Sequence, residues 1–461
     1  MSKLALIPID NRPVCYQLPK QIVNLEKENE IFMPDISLLG DLTRNADTKM
    51  LLDWINKQND IDIFVISLDT IAYGGLIPSR RSSESYEVIK KRIDKLVEIL
   101  KKHNAKIYAF SSIMRISNNN VNEEEKEYWS KYGTKIFEYS YNKHKAEIDQ
   151  TEYNNTEIPE NILNDYLLTR KRNFEINKYY IELYKQGIFD TLVFSKDDCA
   201  EYGLNVKEAN ILKNLSFLEK NIFVKTGADE IPLTLISRAL NKDKYIKICP
   251  KYTNPKYTNK ISKYEDITVE QSVKSQIELA GGIVSDYENC DMVLLVNNFQ
   301  NEQGELVMNV DVPLFSGNLD LPDKPYFIAD ILNANGSDNS FVKALLEKDD
   351  LKEFYGYAAW NTTGNTLGST LSAALTYYGA KKQDKQDFLK LQVIRFLDDW
   401  AYQANIRAKI RNKKENLINN IIKQEIINYE NVIFNKFDIK NGKTEYSFPW
   451  NRFFEIEIYI N

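Results

Sequence analysis

Several short apolar segments of this chain run directly into acidic or basic residues, and this pattern most constrains its fold. The clearest is the segment 190–198, where an apolar strand-like run is followed by the adjacent carboxylates of Asp197 and Asp198. The same arrangement recurs at residues 4–12, 63–69 and 222–230. In α/β proteins the carboxyl ends of parallel strands and the loops after them form the functional face. We therefore expect a shared polar site, although Asp and Asn after a strand also serve as helix N-caps.

The strand-like runs alternate with amphipathic helical patterns. They lie at 4–9, 62–68, 106–112, 191–196, 222–226, 245–249, 292–297, 325–330 and 355–360. Such alternation is typical of a parallel sheet covered by helices. We predict an α/β fold in which residues 1–378 form a (β/α)8-barrel-like catalytic domain with long loop insertions, one of them over 116–161. Residues 379–461 are predicted as a helical C-terminal extension that ends in a strand. Doubly wound parallel sheet domains are the alternative.

Composition excludes several classes of partner. The 461 residues carry a net charge of −6 with Lys and Arg dispersed, so no basic surface for nucleic acid is indicated. No stretch approaches the roughly 20 apolar residues that cross a bilayer, and Pro8 and Asp10 interrupt the first apolar run, which is not a signal segment. The four cysteines form no CxxC pair, as fits a reducing compartment. We expect a cytoplasmic protein without nucleic-acid or membrane partners, and homo-oligomerisation is left open.

Histidine is too scarce to carry the usual hydrolytic or zinc chemistry. The only two, His103 and His144, stand beside lysines and are expected on exposed helix faces or ends. Ser-His-Asp and Cys-His mechanisms need a placed His base, and zinc sites use His or clustered Cys. Acid–base work should therefore fall to carboxylates. We predict neither a cofactor nor a bound metal.

Asp197 and Asp198 are the predicted catalytic residues. Two adjacent carboxylates repel each other, which raises one pKa and makes that group a proton donor near neutral pH. The alternative is an ordinary polar turn in which Asp198 caps the next helix.

The remaining candidates are predicted to bind substrate through charge, hydrogen bonds or ring stacking. Arginines here would hold an anion or pair with a carboxylate, Trp360 would stack on a sugar face, and Asn361 and Asn365 would bind hydroxyl or amide groups. Glu230 could equally be a helix N-terminal residue. The GxGxxG and Walker patterns are absent, which disfavours nucleotide phosphates. The full set is Asp10, Asn11, Arg12, Asp69, Tyr73, Arg115, Tyr202, Asp229, Glu230, Asn297, Trp360, Asn361 and Asn365.

These segments together resemble a widespread bacterial family known as a domain of unknown function. The matching stretches are IPIDNRPVCY (7–16), GD (40–41), SLDTIAYGGLIPSR (67–80), SKDDCAEYG (195–203), GADE (227–230), the Trp360-Asn361 loop and FPWNRFFE (448–455). The resemblance covers nearly the whole chain and implies no particular activity.

The strand that ends in Asp197-Asp198 is also similar to the Asp-Asp pair of O-GlcNAcase-like hexosaminidases, which are (β/α)8 barrels. This resemblance implies that Asp197 orients and polarises the 2-acetamido group of the substrate and that Asp198 is the general acid/base.

We therefore predict an enzyme: a hexosaminidase-like glycoside hydrolase acting on a small glycoside. A 2-acetamido sugar hydrolysed with its own acetamido oxygen as nucleophile is the candidate substrate. One alternative is a divalent-metal-dependent enzyme with Asp10, Asp69, Asp198 and Asp229 as hard oxygen ligands. Another is a sugar-binding protein without catalysis.

Overall fold

A computed structural model describes residues 1–153, 157–348, 351–411, 413, 415–440 and 442–460. The chain forms two compact units. The first unit comprises Met1–Tyr16, Asn29–Pro232 and Tyr264–Asp266. The second unit comprises Gln17–Glu28, Leu233–Lys263 and Ile267–Asn461. Residues 154–156 of the predicted insertion, residues 349–350 of the predicted catalytic domain, and residues 412, 414, 441 and 461 of the predicted C-terminal extension lie outside the described residues.

The first unit is built on a six-stranded parallel sheet. Its strands are β1 (Lys3–Ile7), β2 (Glu30–Phe32), β3 (Ile63–Ser67), β4 (Lys106–Ile113), β5 (Thr191–Lys196) and β6 (Ile222–Thr226). They are arranged in the order β2-β1-β3-β4-β5-β6. This is the 2-1-3-4-5 order of doubly wound sheets, in which the chain changes direction across the sheet between β1 and β3. Ligands of such sheets bind outside the carboxyl ends of the strands, near that point.

Helices connect these strands. They are α1 (Pro13–Val23), which continues into the second unit, α2 (Thr48–Lys57), α3 (Leu68–Tyr73), α4 (Leu76–Arg81), α5 (Tyr86–Leu100), α6 (Trp129–Ile148), α7 (Glu160–Lys185) and α8 (Leu204–Leu215). After β6 the chain enters α9 (Ile231–Leu240), which belongs to the second unit from Leu233 onward. Every residue of β3 and β5 is buried, as expected for strands covered on both faces. The apolar faces of α2, α3, α5 and α7 pack with β1, β3, β4 and β5 in one core cluster.

The second unit has a five-stranded parallel sheet of the same type. Its strands are β7 (Lys247–Tyr252), β8 (Ile283–Val284), β9 (Met292–Asn297), β11 (Tyr326–Asp330) and β13 (Phe354–Ala358), in the order β13-β11-β9-β7-β8. Counted along the chain, this is again 2-1-3-4-5. The short strands β10 (Gly304–Glu305) and β12 (Asn333–Ala334) pair in parallel, and β14 (Thr444–Ser447) and β15 (Glu457–Ile460) pair antiparallel.

Helices dominate the C-terminal part of the second unit. Its helices are α10 (Val269–Leu279), α11 (Asn339–Leu346), α12 (Thr363–Gly379), α13 (Lys385–Arg395), a π-helix (Phe396–Ile406), α14 (Arg407–Ile410) and α15 (Glu415–Lys436). Short 3-10 turns lie at Ile36–Leu38, Pro255–Tyr257 and Pro449–Asn451. The core of this unit forms where α10 and α12 pack on β9 and β11.

The predicted α/β class with parallel sheets is confirmed. Closure into a (β/α)8 barrel is not shown, since both described sheets are open: one ends at β2 and β6, the other at β13 and β8. Both strand orders agree with the alternative of doubly wound sheets. The predicted boundary between 1–378 and 379–461 stays a prediction. No helix within the described ranges combines the length and apolar character needed to cross a membrane.

Candidate functional site

The candidate site of the first unit lies where β1, β3, β4, β5 and β6 end. Parallel pairing aligns the carboxyl ends of these strands along one edge of the sheet. The residues that follow each strand therefore emerge on the same side. The predicted site residues on this edge are Asp10, Asn11, Arg12, Asp69, Tyr73, Arg115, Asp197, Asp198, Tyr202, Asp229 and Glu230.

Arg12, which follows β1, is held between two carboxylates. Its Nε donates to Asp10 Oδ2 at 2.9 Å, and its two terminal nitrogens donate to the Asp229 oxygens at 3.1 and 2.6 Å. The side chains of Arg12, Asp10 and Asp229 are only 10, 10 and 8% exposed. Burial raises the pKa of Asp229, while the charge of Arg12 acts in the opposite direction. The loop after β1 is thereby bound to the loop after β6. Next to this triad, the Asn11 N–H donates to Gly40 O at 3.2 Å.

Asp69 lies in the first turn of α3, directly after β3, and faces β4. Its carboxylate accepts the Ser112 N–H at 2.7 Å and the Ser111 hydroxyl at 3.2 Å. Burial raises the pKa of Asp69 to about 6, although these hydrogen bonds lower it. Tyr73 is buried in the same helix, and burial together with the Asp69 charge raises the pKa of its phenol. Asp69 therefore joins β3 to β4 and is a strongly perturbed carboxyl group.

The predicted catalytic pair shares one arginine. Arg115 Nη1 lies 3.3 Å from Asp197 Oδ2 and 3.5 Å from Asp198 Oδ2, and the Ser117 hydroxyl donates to Asp198 Oδ2 at 2.9 Å. Asp198 has a φ of 46°, the left-handed region that non-glycine residues seldom adopt. Burial and, after it, the charge of Asp197 raise the pKa of Asp198 to about 6, although Arg115 and the Ser117 hydroxyl lower it. An acid in this state can hold and release a proton near neutral pH.

Two glutamates that the sequence analysis did not select complete this network. Arg115 also pairs with Glu124 at 2.9 Å and with Glu125 at 3.2 Å, and the buried Arg80 reaches the same two carboxylates at 3.3 and 3.1 Å. Burial alone would lower the pKa of Arg115, but the surrounding carboxylates raise it well above its ordinary value. Since Arg115 is shared among four carboxylates, it neutralises none of them fully.

A second buried ion pair supports the loop that carries the Asp pair. Lys196, the last residue of β5, is 2% exposed and pairs with Asp266, which also accepts the Thr226 hydroxyl at 2.9 Å. The Cys199 N–H donates to Tyr264 O at 3.1 Å. The segment Tyr264–Asp266 therefore fixes the backbone on both sides of Asp197 and Asp198. Asp266 lies far from β5 in the sequence, so no local pattern indicated this partner.

Glu230 closes the turn after β6. Its Oε2 accepts the Ala228 N–H at 2.9 Å, and a Cβ placed on Gly227 would meet Glu230 Oε1 at 1.6 Å. Gly227 has a φ of +118°, which other residues rarely adopt. The glutamate and the glycine therefore form one structural unit that presents the neighbouring Asp229 to Arg12.

The structure buries His144, which the sequence analysis expected on an exposed helix face or end. Its Nδ1 accepts the Gly203 N–H at 3.0 Å, and its ring lies edge-on to Tyr202 with centroids 5.9 Å apart. Burial lowers the pKa of His144. His103 is half-buried, with its ring 5.0 Å from that of Phe64. The expectation that both histidines are exposed is therefore wrong, and His144 supports the Asp197–Gly203 loop from α6.

The remaining predicted site residues belong to the second unit. Asn297 ends β9 fully buried, and its amide donates to Asp330 Oδ1 at 2.9 Å and to Asp338 Oδ2 at 3.3 Å. Trp360 is buried after β13, while Asn361 is half-buried with a φ of 59°. Asn365 is buried in the first turn of α12, and no described residue donates a hydrogen bond to its Oδ1. Their role in binding substrate stays a prediction.

The two arginine networks of the first unit are electrostatic neighbours. The charge of Asp197 contributes to the raised pKa of Asp229, so the pair after β5 and the carboxylate after β6 act on each other. Arg12 and Arg115 pair with Asp10, Asp229 and Asp198, three of the four carboxylates proposed as ligands in the metal alternative. Within the described residues there is no group of three or more His, Cys, Asp or Glu side chains arranged to hold a metal ion.

Two comparisons with known proteins bear on the family of this chain. A family model described as "Protein of unknown function (DUF4127)" matches residues 4–459, and the chain therefore belongs to this family. This confirms the resemblance to a family of unknown function. A search of curated proteins finds no significant match.

Proposed function

We propose that this member of the DUF4127 family is a glycoside hydrolase whose active site lies at the carboxyl ends of β1 and β3–β6 in the first unit. The observation that carries the proposal is the state of Asp198. It is a half-buried carboxyl group, with its side chain 27% exposed and its pKa raised to about 6, next to a second carboxylate and an arginine. Two carboxyl groups in unequal environments are the usual mark of an acid–base pair in glycosidases.

In this proposal Asp198 is the proton donor. When the glycosidic C–O bond breaks, its proton passes to the leaving oxygen. With a 2-acetamido sugar, the acetamido oxygen forms the new bond to the anomeric carbon, and Asp197 accepts the amide N–H and orients the group. Water then attacks the same carbon, the bond from this carbon to the acetamido oxygen breaks, and the proton of the water passes to Asp198, which restores the acid. Arg115 holds both carboxylates in place and limits how far the pKa of Asp198 rises.

The resemblance to hexosaminidases also implies a (β/α)8 barrel, and we include this fold in the proposal. The acid–base chemistry does not depend on it, because catalytic groups stand at the carboxyl ends of parallel strands in barrels and in doubly wound sheets alike.

A sugar-binding protein without turnover is the second candidate. This alternative is favoured by the hydrogen bonds of Arg12, which bind the carboxylates of Asp10 and Asp229 within the protein. Carboxylates held in this way have a structural role that requires no catalysis. Such a protein would bind glycosides with wild-type affinity after Asp198→Asn and would release no product from any of them.

The test is hydrolysis of a panel of chromogenic aryl glycosides, including 2-acetamido sugars, with and without EDTA. Asp198→Asn should slow alkyl glycosides by about 10²–10⁴-fold, the usual contribution of a general acid, and should slow activated aryl glycosides much less. Asp197→Asn should slow both classes, because it disables the nucleophile whatever the leaving group. Asp53→Asn, an exposed acid on α2, is the matched control and should leave the rates unchanged.

The pH profile gives a second readout. Since the pKa of Asp198 is raised to about 6, the rate on alkyl glycosides should fall as the pH rises above that value. If Asp197→Asn and Asp198→Asn slow alkyl and aryl glycosides equally, the roles assigned to the two aspartates are wrong. If Asp198→Asn keeps nearly wild-type activity, the active site does not lie at the Asp pair. If EDTA abolishes activity, the alternative of a divalent-metal-dependent enzyme is favoured.

A further inference from the structure

The second unit contains a small cavity that the proposed hydrolase does not use. It lies between the end of α1, one face of α13 and the strand β15, and its volume is about 210 Å³. Pockets for drug-sized ligands begin at about 300 Å³, so an occupant of this cavity must be smaller. All of its lining residues belong to the second unit.

Four polar side chains that line this cavity make no hydrogen bond or ion pair with another described residue. They are Gln21 and Asn24 at the end of α1, and Asp387 and Lys390 on α13. Across the described part of the chain, none of these four side chains has a hydrogen-bond or ion-pair partner. Asp387 and Lys390 are half-buried, so their charges are only partly available to water.

The two charges stand close together and do not pair. Asp387 and Lys390 are three residues apart, a spacing that puts them side by side on a helix and usually lets opposite charges interact. Here both line the cavity and form no salt bridge with each other, as far as the described residues extend. A molecule with one positive and one negative group could bind both at once.

The rest of the wall is apolar. Leu391 and Ile394 of α13 and Ile458 of β15 are buried and line the cavity beside the two charges. Ile460 and the exposed Tyr459 complete the wall, and the Tyr459 hydroxyl already donates to Glu457 and accepts from Gln17. An occupant therefore meets an anion, a cation and an aliphatic surface within a space of about 210 Å³.

We propose that this cavity binds a small zwitterion with an apolar end, of the class of aliphatic α-amino acids. The ligand ammonium donates to the Asp387 carboxylate, and the ligand carboxylate accepts from Lys390. The aliphatic side chain packs on Leu391 and Ile458, and the amide of Gln21 hydrogen-bonds the polar end. Charge-assisted hydrogen bonds are the strong ones, so both ionic groups of the ligand are needed. The site is independent of the proposed hydrolase.

The experiment is isothermal titration of the full chain with leucine, isoleucine, valine and phenylalanine. We expect one-to-one binding of at least one of them. Its methyl ester lacks the carboxylate and its N-acetyl derivative lacks the ammonium, and each should bind at least about tenfold more weakly. These ligand comparisons need no variant, so they stand even where a substitution affects folding.

Variants locate the binding in this cavity. Lys390→Met should abolish binding of the free amino acid, and Asp387→Asn should weaken it at least about tenfold. Lys385→Met, an exposed lysine of the same helix outside the cavity, is the matched control and should bind like wild type. Failure of all four amino acids to bind, equal binding of the ester, or unchanged binding by Lys390→Met would each overturn the proposal.

Discussion

Replacing Arg12 should destabilise the first unit more than any surface substitution, because it leaves buried carboxylates without their cation. In Arg12→Met, Asp10 and Asp229 lose a partner that holds them at 2.8 and 2.6 Å. Removing one member of a buried ion pair costs about 3–5 kcal/mol. The first unit has about 220 residues, and in a domain of this size 1 kcal/mol lowers the melting temperature by about 2–4 °C, so we expect a fall of about 6–20 °C.

The size of this loss should depend on pH. Burial raises the pKa of Asp229 and Arg12 holds it down, so Arg12→Met raises this pKa further. A carboxyl group with a raised pKa in the folded state binds a proton there that the unfolded chain releases. Its contribution to stability is present at low pH and is lost as the pH rises through the folded pKa. The defect of Arg12→Met should therefore be smallest below about pH 4, the pKa of an Asp in the unfolded chain, and should grow as the pH rises from there toward about pH 8.

Differential scanning calorimetry over this pH range is the assay. Lys95→Met removes an ion pair with Glu98 in which the two side chains are 58 and 64% exposed, and it should leave the melting temperature nearly unchanged. Arg12→Lys keeps the charge but loses the forked geometry, so it should fall between the two. A melting temperature of Arg12→Met equal to that of Lys95→Met at high pH, or a defect that grows toward low pH, would refute the reasoning.

Three further predictions concern the same edge of the sheet. In urea unfolding, Gly227→Ala should cost about 1–3 kcal/mol more than Gly187→Ala, because both have positive φ but only the new Cβ at 227 meets a buried side chain; equal losses would contradict this. His144→Leu should cost about 1–3 kcal/mol, because the Gly203 N–H loses its acceptor, whereas His144→Gln should recover part of it. Asp198→Asn should remove the fall in stability between about pH 4 and 6 that the raised pKa of about 6 produces, as a pH series of melts would detect.

The sequence was sufficient to predict which acidic residues share one edge of the sheet. The segments 4–12, 63–69, 190–198 and 222–230 contain β1, β3, β5 and β6, and parallel pairing brings their ends to the same side. This worked because the period and length of an apolar run are local properties. The order of the strands depends on which distant segments pair, and for that reason the open sheets could not be distinguished from a barrel beforehand.

The burial of His144 was indicated by the spacing of residues in α6, but its lysine neighbours were given more weight. Its lysine neighbours suggested an exposed position, yet α6 buries Gly133, Ile136, Ser140 and His144 at spacings of three and four residues. That spacing defines one face of a helix. Charged neighbours on a helix occupy other faces and say little about the residue between them. The periodic pattern was the better guide.

The properties of the Asp pair depend on partners that its adjacent sequence does not contain. An isolated arginine beside an aspartate lowers its pKa, typically by about 1–3 units. Asp198 has such an arginine and still has its pKa raised to about 6, because burial and the Asp197 charge act against it. Arg115 is also shared with Glu124 and Glu125, which compete for the same guanidinium. Whether two adjacent aspartates hold a proton is therefore decided first by how far the fold buries them, and then by the balance of carboxylates and arginines that it brings around them.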